Sequence, residues 1–197
     1  MQYPDHLLKL IAVFKKLPGV GTKSAERFAF HLLDWPEEKL LEMSRTLEAT
    51  KDNLKSCPEC GFLIEQSCPL CRDRGRDPAT LCVVATAKDI FLIEQTHEYR
   101  GLYHVLGGLL SPLQGLAPAP RSIEKLKERA LRLGTQELIL ALDSTLEGDA
   151  TALFLKKELE PLALKTSRLA LGLPMGSSLD YIDGGTLARA FAGRHSY

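Results

Sequence analysis

The sequence ELILALDSTLEGD, residues 137–149, joins a short aliphatic run to a cluster of acidic side chains, and this combination indicates the fold class. The run 137–142 is typical of a buried strand, and the pattern that follows predicts a helix over 149–159. The chain repeats this alternation, with further candidate strands at 81–85, 102–106 and 168–171 and candidate helices at 88–95 and 123–133. Strands that alternate with helices predict βαβ units, and therefore an α/β fold with a small parallel sheet between flanking helices.

The first third of the chain is predicted to be a small helical unit. Apolar positions recur at helical spacing over residues 5–16 and again after Gly21, where Thr22 is the predicted N-cap of a second helix. A third helix is predicted over 37–54. The predicted buried face of this third helix consists of Leu40, Met43, Leu47 and Leu54.

The overall charge of the chain is balanced. Its 25 Lys and Arg residues equal its 25 Asp and Glu residues, so no global positive field draws it toward nucleic acid. Any contact with phosphate must therefore come from local clusters of basic side chains. The N-terminus lacks the features of a secretory signal, and no apolar run approaches the ~18 residues of a membrane span. A cytoplasmic protein without a membrane partner is expected.

Four of the five cysteines lie in the pattern Cys57-x2-Cys60-x7-Cys68-x2-Cys71. Each C-x2-C turn presents two thiolates, and two such turns complete the tetrahedral sulfur shell that Zn²⁺ prefers in structural sites. Four thiolates leave no open position for water or substrate, so the pattern predicts one structural zinc ion per chain and not a catalytic one. The alternative is four free or disulfide-paired cysteines. Cys82, in an apolar run, is interpreted as a buried hydrophobe.

The turn Leu17-Pro-Gly-Val-Gly21 joins the first two predicted helices, and its glycines let backbone N–H groups point outward at a helix start suited to phosphate. Residues 15–31 carry four Lys and Arg side chains against one Glu, a net charge of +3. This pattern resembles the helix-hairpin-helix motif of DNA repair proteins, which grips the DNA backbone without reading sequence and also serves in dimerisation. An ordinary helical corner is the alternative. The candidate DNA-binding residues are Lys16, Gly19, Gly21, Lys23 and Arg27.

Three acidic residues, Asp143, Glu147 and Asp149, lie beyond the carboxyl end of the predicted strand, where α/β sheets place their sites. The run is similar to the Asp-x-Asp-x-x-Gly element of Toprim domains in topoisomerases and primases. Thr145 stands where the second Asp of that element would be, and Ala85 follows the first strand, where catalytic Toprim domains have a glutamate. The resemblance implies a Toprim scaffold without Toprim catalysis. Two interpretations of the acids stay open: a Mg²⁺ site, or charges that offset the dipole of the next helix.

The order of these motifs resembles the RecR family of bacterial recombination mediators over essentially the whole chain. The resemblance is carried by the hairpin 17–21, the four cysteines, the run 82–84, the segments 101–106 and 110–113, the stretch 146–151 and the ending 192–195. It implies a non-enzymatic protein that forms ring-like homo-oligomers, from dimer to tetramer, and binds single- and double-stranded DNA without sequence specificity. It also implies pairing with RecO, and in some settings RecF, to help RecA replace single-strand-binding protein on gapped DNA.

The same resemblance assigns roles to modules and residues. It implies a helix-hairpin-helix unit at 1–55, a four-cysteine zinc finger at 56–78, a Toprim-like domain at 79–166 and a Walker-B-like oligomerisation segment at 167–197, with subunit contacts from 169–176 onward. Lys23 and Arg27 match the family's DNA-contacting positions. Asp143, Glu147 and Asp149 match its acidic patch for RecO. A nucleoid-associated protein of the cytoplasm is the implied location.

Two departures from the family pattern are visible. The loop between the cysteine pairs is one residue shorter than is common, which costs little in a metal-closed turn. Ala85 replaces the acidic residue that usually follows the first strand, which weakens any chemistry with a divalent metal. Two other classes stay as alternatives: a Mg²⁺-dependent Toprim nuclease or primase-like phosphoryl transferase using Asp143 and Glu147, and an adaptor whose zinc site and hairpin only assemble subunits.

Overall fold

The computed structural model describes residues 3–111, 118–170 and 172–194 of the 197-residue chain. The chain divides into two compact units, Met1–Asn53 and Leu54–Tyr197. Within the described ranges, no helix has both the length and the apolar character needed to cross a membrane. Four residues of the predicted motifs lie outside the described residues: Pro112, Leu113, Leu171 and His195.

The first unit consists of three helices, as predicted: α1 (Asp5–Phe14), α2 (Thr22–Leu33) and α3 (Glu37–Asn53). Leu7 and Ile11 on α1 are buried against two small side chains of α2, Ala25 and Ala29. Alanine at both positions lets the two helices pack closely, so α1 and α2 form a helical hairpin around the turn at Gly19.

Two details predicted for the first unit are wrong. Gly21 is the N-cap of α2, because it has extended backbone angles while Thr22 already belongs to the helix. The predicted buried face of α3 is not buried: Leu40, Leu47 and Leu54 are exposed and Met43 is half-buried. A helical spacing of apolar residues shows that an apolar face exists, but it does not show that a neighbour in the same unit covers it.

The second unit begins with a cysteine-rich segment, residues 55–72. This segment contains a short antiparallel pair, β1 (Lys55–Ser56) and β2 (Leu63–Ile64), and a one-turn helix, α4 (Pro69–Arg72). Such short elements bury little apolar surface of their own. Other interactions must therefore hold the segment in place.

A four-stranded parallel sheet forms the body of the second unit. Its strands are β3 (Asp77–Val84), β4 (Gly101–Val105), β5 (Glu137–Ala141) and β6 (Lys165–Arg168), in the spatial order β4-β3-β5-β6. Three helices connect consecutive strands along the chain: α5 (Ala87–Glu94), α6 (Pro120–Leu133) and α7 (Leu146–Leu159). Helix α8 (Gly184–Ala192) follows β6. The predicted α/β class with a parallel sheet is confirmed.

Side chains of β3 alternate between the two faces of the sheet. Leu81 and Val83 pack into a cluster that includes side chains of α6 and α7. Cys82 and Val84 point into a second cluster, which α5 and the cysteine-rich segment complete. The cysteine-rich segment thus covers part of one sheet face in the place that a helix would otherwise take.

Several boundaries in the second unit differ from the prediction. Strand β3 begins at Asp77 and not at 81, and α6 begins at Pro120 and not at 123. The last strand spans Lys165–Arg168 and not 168–171. It lies at the edge of the sheet, where none of its side chains is buried, so it lacks the aliphatic signature of the inner strands. Helix α7 begins at Leu146, earlier than the predicted start at residue 149, and this places Glu147 and Asp149 in its first turn.

Candidate functional site

The first cysteine turn is fixed by a glycine. The N–H of Gly61 donates to the carbonyl of Cys57 at 2.9 Å, and the N–H of Cys57 donates to the carbonyl of Phe62 at 2.7 Å. Gly61 has φ +78°, and a Cβ at this position would lie 2.7 Å from the Cβ of Val105. The turn therefore needs glycine both for its backbone angle and for its close approach to β4.

The four predicted ligands are brought together. Cys68 is the N-cap of α4, and its Sγ accepts a hydrogen bond from the N–H of Cys71 at 3.4 Å. The Sγ atoms of Cys60 and Cys68 lie 3.6 Å apart, and the sulfurs of all four cysteines, Cys57 included, lie within 4.8 Å of one another. Sulfurs bonded to zinc at ~2.3 Å in a tetrahedron are about 3.8 Å apart, so the cluster fits Zn²⁺. In the described part of the chain it is the one group of three or more His, Cys, Asp or Glu side chains placed to hold a metal.

Arg129 on α6 contacts this cluster from outside the cysteine-rich segment. Its Nη2 donates to the Sγ of Cys71 at 3.4 Å, and its side chain is 5% exposed. Its Nε and Nη1 are buried without a hydrogen-bond partner among the described residues. A buried guanidinium needs negative charge nearby, and metal-bound thiolates supply it. The buried guanidinium and its contact with the Sγ of Cys71 therefore fit a metal–thiolate centre better than four neutral thiols.

The thiol protons are shared unequally within the cluster. A hydrogen bond from Cys60, together with Arg129, lowers the pKa of Cys71 to about 5. The same contact with Cys71 and burial raise the pKa of Cys60, and burial raises the pKa of Cys68. Of Cys60, Cys68 and Cys71, Cys71 is thus the sulfur that ionises most readily, with Arg129 as its counter-charge. Metal binding would displace the protons that remain on the ligands.

The turn between α1 and α2 leaves the N-terminus of α2 open. Gly19 has φ +79°, and the N–H of Val20 closes the turn by donating to the carbonyl of Leu17 at 3.1 Å. Gly21 supplies no side-chain cap to α2, and a Cβ added at Gly19 or Gly21 would meet nothing within 4 Å. The first N–H groups of α2 therefore face open space, an arrangement suited to binding an anion.

Three basic side chains flank this helix start. Lys16 follows α1, Lys23 lies in the first turn of α2, and Arg27 lies one turn further along; all three are exposed. None of them forms an ion pair with any carboxylate that the structure describes. The guanidinium carbon of Arg27 lies 5.6 Å from the centre of the Phe28 ring. Their charges are therefore free to act on a ligand.

The three predicted acidic residues lie in different surroundings. Asp149 accepts hydrogen bonds from two arginines, with Oδ1 contacting Arg168 and Oδ2 contacting Nη2 of Arg189 at 2.7 Å. Arg168 first, and then Arg189, hold the pKa of Asp149 below its ordinary value. Asp143 is exposed and Glu147 is half-buried. Asp149 is thus already neutralised within the chain.

Helix capping accounts for the acids at the start of α7. The Oγ1 of the N-cap residue Thr145 accepts a hydrogen bond from the N–H of Gly148 at 3.1 Å, and Glu147 and Asp149 lie in the first turn. Acids in this position offset the positive end of the helix dipole. Together with Asp143 they do not form a metal-holding group among the described residues. The structure therefore supports the capping interpretation of these acids.

The surroundings of two further positions in the Toprim-like domain, Gly148 and Ala85, explain their residue types. A Cβ at Gly148 would lie 1.9 Å from the carbonyl oxygen of Asp143, so only glycine fits at this point. Ala85 is buried, and its carbonyl accepts a hydrogen bond from the N–H of Gly107 at 3.0 Å. The position that carries a glutamate in catalytic Toprim domains contributes apolar surface here.

Sequence reasoning missed three arginines of these sites: Arg129, Arg168 and Arg189. Arg168 and Arg189 contact Asp149 from distant parts of the chain, so no local pattern indicates the pairing. Arg129 did leave a signal. It lies between the buried Leu126 and Ala130 on the same helix, and a basic residue in an apolar stripe indicates a buried partner of opposite charge.

The fold and the site define a class of protein: a Toprim-type α/β domain with a four-cysteine cluster placed to hold a metal ion, together with a helix-hairpin-helix unit. Family models agree with this description. A Toprim domain matches residues 79–170, the RecR helix-hairpin-helix matches residues 7–51, and the RecR C-terminal region matches residues 172–195.

Relatives named "Recombination protein RecR" match over their full length. The protein of Protochlamydia amoebophila (strain UWE25) is 61% identical over 198 residues, which cover 100% of each chain. That of Chlamydia pneumoniae is 49% identical over 199 residues, which cover 100% of this chain and 99% of the relative. That of Chlamydia abortus (strain DSM 27085 / S26/3) is 50% identical over 200 residues, which cover 100% of both. The chain belongs to the RecR family of recombination proteins.

Proposed function

We propose that this protein is a non-enzymatic, DNA-binding mediator of recombinational repair. It binds single- and double-stranded DNA and acts with RecO, and with RecF where that partner is used, to help load RecA onto gapped DNA coated with single-strand-binding protein. The observation that carries the proposal is the open start of α2 beside the exposed Lys16, Lys23 and Arg27. The names of the relatives support a role in the same process.

Contact with phosphate explains why the turn before α2 is rich in glycine and the start of α2 is basic. The first N–H groups of α2 can donate to a phosphate oxygen, while Lys23 and Arg27 displace counterions from the DNA backbone. Glycine at positions 19 and 21 leaves room for the backbone of the nucleic acid. Contacts limited to phosphate carry no sequence information, so the proposed binding is independent of sequence.

We further propose a ring-like homo-oligomer, from dimer to tetramer. The chain has no net charge, so the single basic region at residues 15–31, of net charge +3, binds DNA weakly. Several copies of this region on one DNA strand would strengthen binding through effective concentration. Apolar surface for self-association is present on the first unit, where Val13, Phe30, Leu33, Leu41 and Leu47 are exposed. The segment 167–197 is proposed to add subunit contacts.

The acidic patch is proposed as the contact surface for RecO. Asp143 and Glu147 have no ion-pair partner among the residues that the structure describes, whereas Asp149 is held by two arginines. The charge offered to a basic partner therefore comes mainly from Asp143 and Glu147, and Asp149 fixes the geometry of the patch.

The non-enzymatic role rests on Ala85 and Thr145. These two residues occupy positions at which catalytic Toprim domains carry acids, and here one is buried in the core and the other caps a helix.

We propose the module boundaries 1–55, 56–78, 79–166 and 167–197, and a location at the nucleoid in the cytoplasm.

Salt-dependent binding tests this function. Fluorescence anisotropy with a labelled single-stranded oligonucleotide should show that Lys23→Ala/Arg27→Ala binds more weakly than wild type. The slope of log Kobs against log salt should fall by about one unit for each lost contact. Lys9→Ala/Lys51→Ala removes the same charge from other exposed positions of the first unit and should leave the slope nearly unchanged.

Two outcomes would overturn the proposal. Equal affinity and slope for wild type and Lys23→Ala/Arg27→Ala would show that the corner does not bind DNA. Mg²⁺-dependent cleavage or extension of DNA that is lost in Asp143→Ala would show a Toprim enzyme. Light scattering with and without DNA at two salt concentrations tests the ring, because a monomer that binds with undiminished affinity contradicts it.

A further inference from the structure

Arg129 is buried in a place where its charge is not balanced by a carboxylate of comparable burial. Its side chain is 5% exposed, and the nearest acid, Glu59, is 48% exposed, with its Oε2 at 3.6 Å from Nη1 of Arg129. The same oxygen of Glu59 also contacts Arg132. Glu59 is therefore shared between two arginines at the rim, and it neutralises Arg129 only in part.

The sulfur cluster supplies the missing negative charge. One Zn²⁺ bonded to four thiolates carries a net charge of 2−, because four negative sulfurs outweigh two positive charges of the metal. Two backbone N–H groups donate to this cluster, from Phe62 to the Sγ of Cys60 and from Cys71 to the Sγ of Cys68, each at 3.4 Å. Among the described residues, Arg129 is the one side chain outside the four cysteines that donates to a ligand sulfur.

The contact is made to the most accessible of the four ligands. Cys57, Cys60 and Cys68 are buried, whereas Cys71 is half-buried. Loss of zinc begins when a ligand leaves the metal, and the ligand nearest to solvent is the one most easily replaced by water or a chelator. A cation held against this sulfur therefore acts at the point where the centre is weakest.

We propose that Arg129 is the outer-sphere charge partner of the zinc–thiolate centre and holds Cys71 on the metal. The guanidinium lowers the net charge of the buried centre and donates a hydrogen bond to the Sγ of Cys71, so the metal is retained longer. Because Arg129 belongs to α6, the same contact fastens the cysteine-rich segment to the α/β domain. Arg129 is a positioning residue, since it acts on the metal through Cys71.

Zinc release from the full-length protein tests this role. Arg129→Gln should release zinc to an excess of a chromophoric chelator about tenfold faster than wild type, in line with the effect of other outer-sphere partners. Arg132→Gln is the matched control, because it removes the same charge from the same helix and the same contact with Glu59 but reaches no sulfur. Its release rate should equal that of wild type.

A spectroscopic measurement separates this role from a loss of packing. With cobalt in place of zinc, the thiolate-to-metal charge-transfer band of Arg129→Gln should move to lower energy, because a sulfur without its cation is a better electron donor. Glu59→Gln should move the band in the opposite direction without faster zinc release, since it leaves the charge of Arg129 entirely to the sulfurs. Glu59 lies at the rim, so this variant is expected to fold.

The zinc release rate and the energy of the cobalt band together test the role of Arg129. Wild-type release and an unshifted cobalt band in Arg129→Gln would overturn the proposal. Equal acceleration in Arg129→Gln and Arg132→Gln would also overturn it, because it would indicate a general effect of surface charge. If Arg129→Gln does not fold, Glu59→Gln decides: faster release with a band at lower energy would show that the arginine–glutamate pair only packs the helix.

Discussion

The Oδ2 of Asp149 accepts a hydrogen bond from Nη2 of Arg189 at 2.7 Å, and this contact ties the start of α7 to the last helix of the chain. Nη1 of Arg189 also donates to the hydroxyl of Ser144 at 2.7 Å, in the loop that follows β5. The C-terminal helix is thus attached at the carboxyl end of a sheet strand, beside the acidic residues at the start of α7.

Removal of this attachment should loosen α8 without unfolding the domain. Arg189→Ala deletes both contacts, and because α8 has no buried residue, little else holds it. The free energy of unfolding should fall by less than about 1 kcal/mol, as for other partly exposed ion pairs. Hydrogen exchange should nevertheless become faster in the amides of Gly184–Ala192.

Arg194→Ala is a suitable control for this experiment. Arg194 lies just beyond α8, and its Nη1 donates to the carbonyl of Phe191 within the same segment. Its loss should leave exchange in α8 close to that of wild type. Unchanged exchange in Arg189→Ala would show that the contact with Asp149 does not hold the helix.

The ion pairs of Asp149 should depend on pH in a defined direction. Arg168, and then Arg189, hold its folded-state pKa below the ordinary value. A carboxyl group with a depressed pKa stabilises the fold above its unfolded pKa, and this stability is lost as the pH falls through the folded value. Urea midpoints of wild type and Asp149→Asn should therefore differ by a constant amount at neutral pH and converge below about pH 4. A difference that widens in acid would contradict this assignment.

Local pattern is sufficient to locate the inner strands and to predict which four cysteines lie together. The inner strands, β3, β4 and β5, are short aliphatic runs between turns, and the two C-x2-C pairs fix which sulfurs can meet. The edge strand was misplaced since a strand with no buried side chain has no aliphatic run. The uncovered face of α3 was missed because amphipathic spacing does not reveal what covers a helix.

The contacts between distant residues are beyond local reasoning for a different reason. Arg129 contacts Cys71, and Arg189 contacts Asp149, only in the folded chain. Each contact joins residues that are distant in sequence, and many arginines compete as candidates. Arg129 alone carries a sequence signal, because it lies in an apolar stripe of α6. This signal predicts that Arg129 is buried, but it does not predict which residue it contacts.

Loss of one ligand should release the zinc and unfold the cysteine-rich segment. Cys57→Ala should reduce zinc from one ion per chain to nearly none, because three thiolates without the fourth hold the metal far less tightly. The sheet face beside Phe62 and Leu70 should then become exposed, since these side chains pack there only while the segment is folded. Zinc analysis and binding of a hydrophobic dye measure the two effects.

Cys82→Ala provides the control for zinc content. Cys82 lies on β3 in the same buried cluster but does not belong to the group of four sulfurs placed to hold a metal. Its loss should lower stability by about 1 kcal/mol through the small cavity that forms, while zinc stays at one ion per chain. A fully folded Cys57→Ala with undiminished zinc would show that the four sulfurs do not form the metal site.

The two glycines of the hairpin turn should respond differently to alanine because only one has an unusual backbone angle. Gly19 has φ +79°, so Gly19→Ala should destabilise the first unit by about 1 kcal/mol. Gly21 has φ −79° with open space around it, so Gly21→Ala should fold as well as wild type. Its added methyl group would nevertheless stand where a DNA phosphate approaches the start of α2, and DNA affinity should fall several-fold. Thermal unfolding and anisotropy titrations on the two variants separate the effects, and wild-type DNA affinity in Gly21→Ala would argue against phosphate binding at this turn.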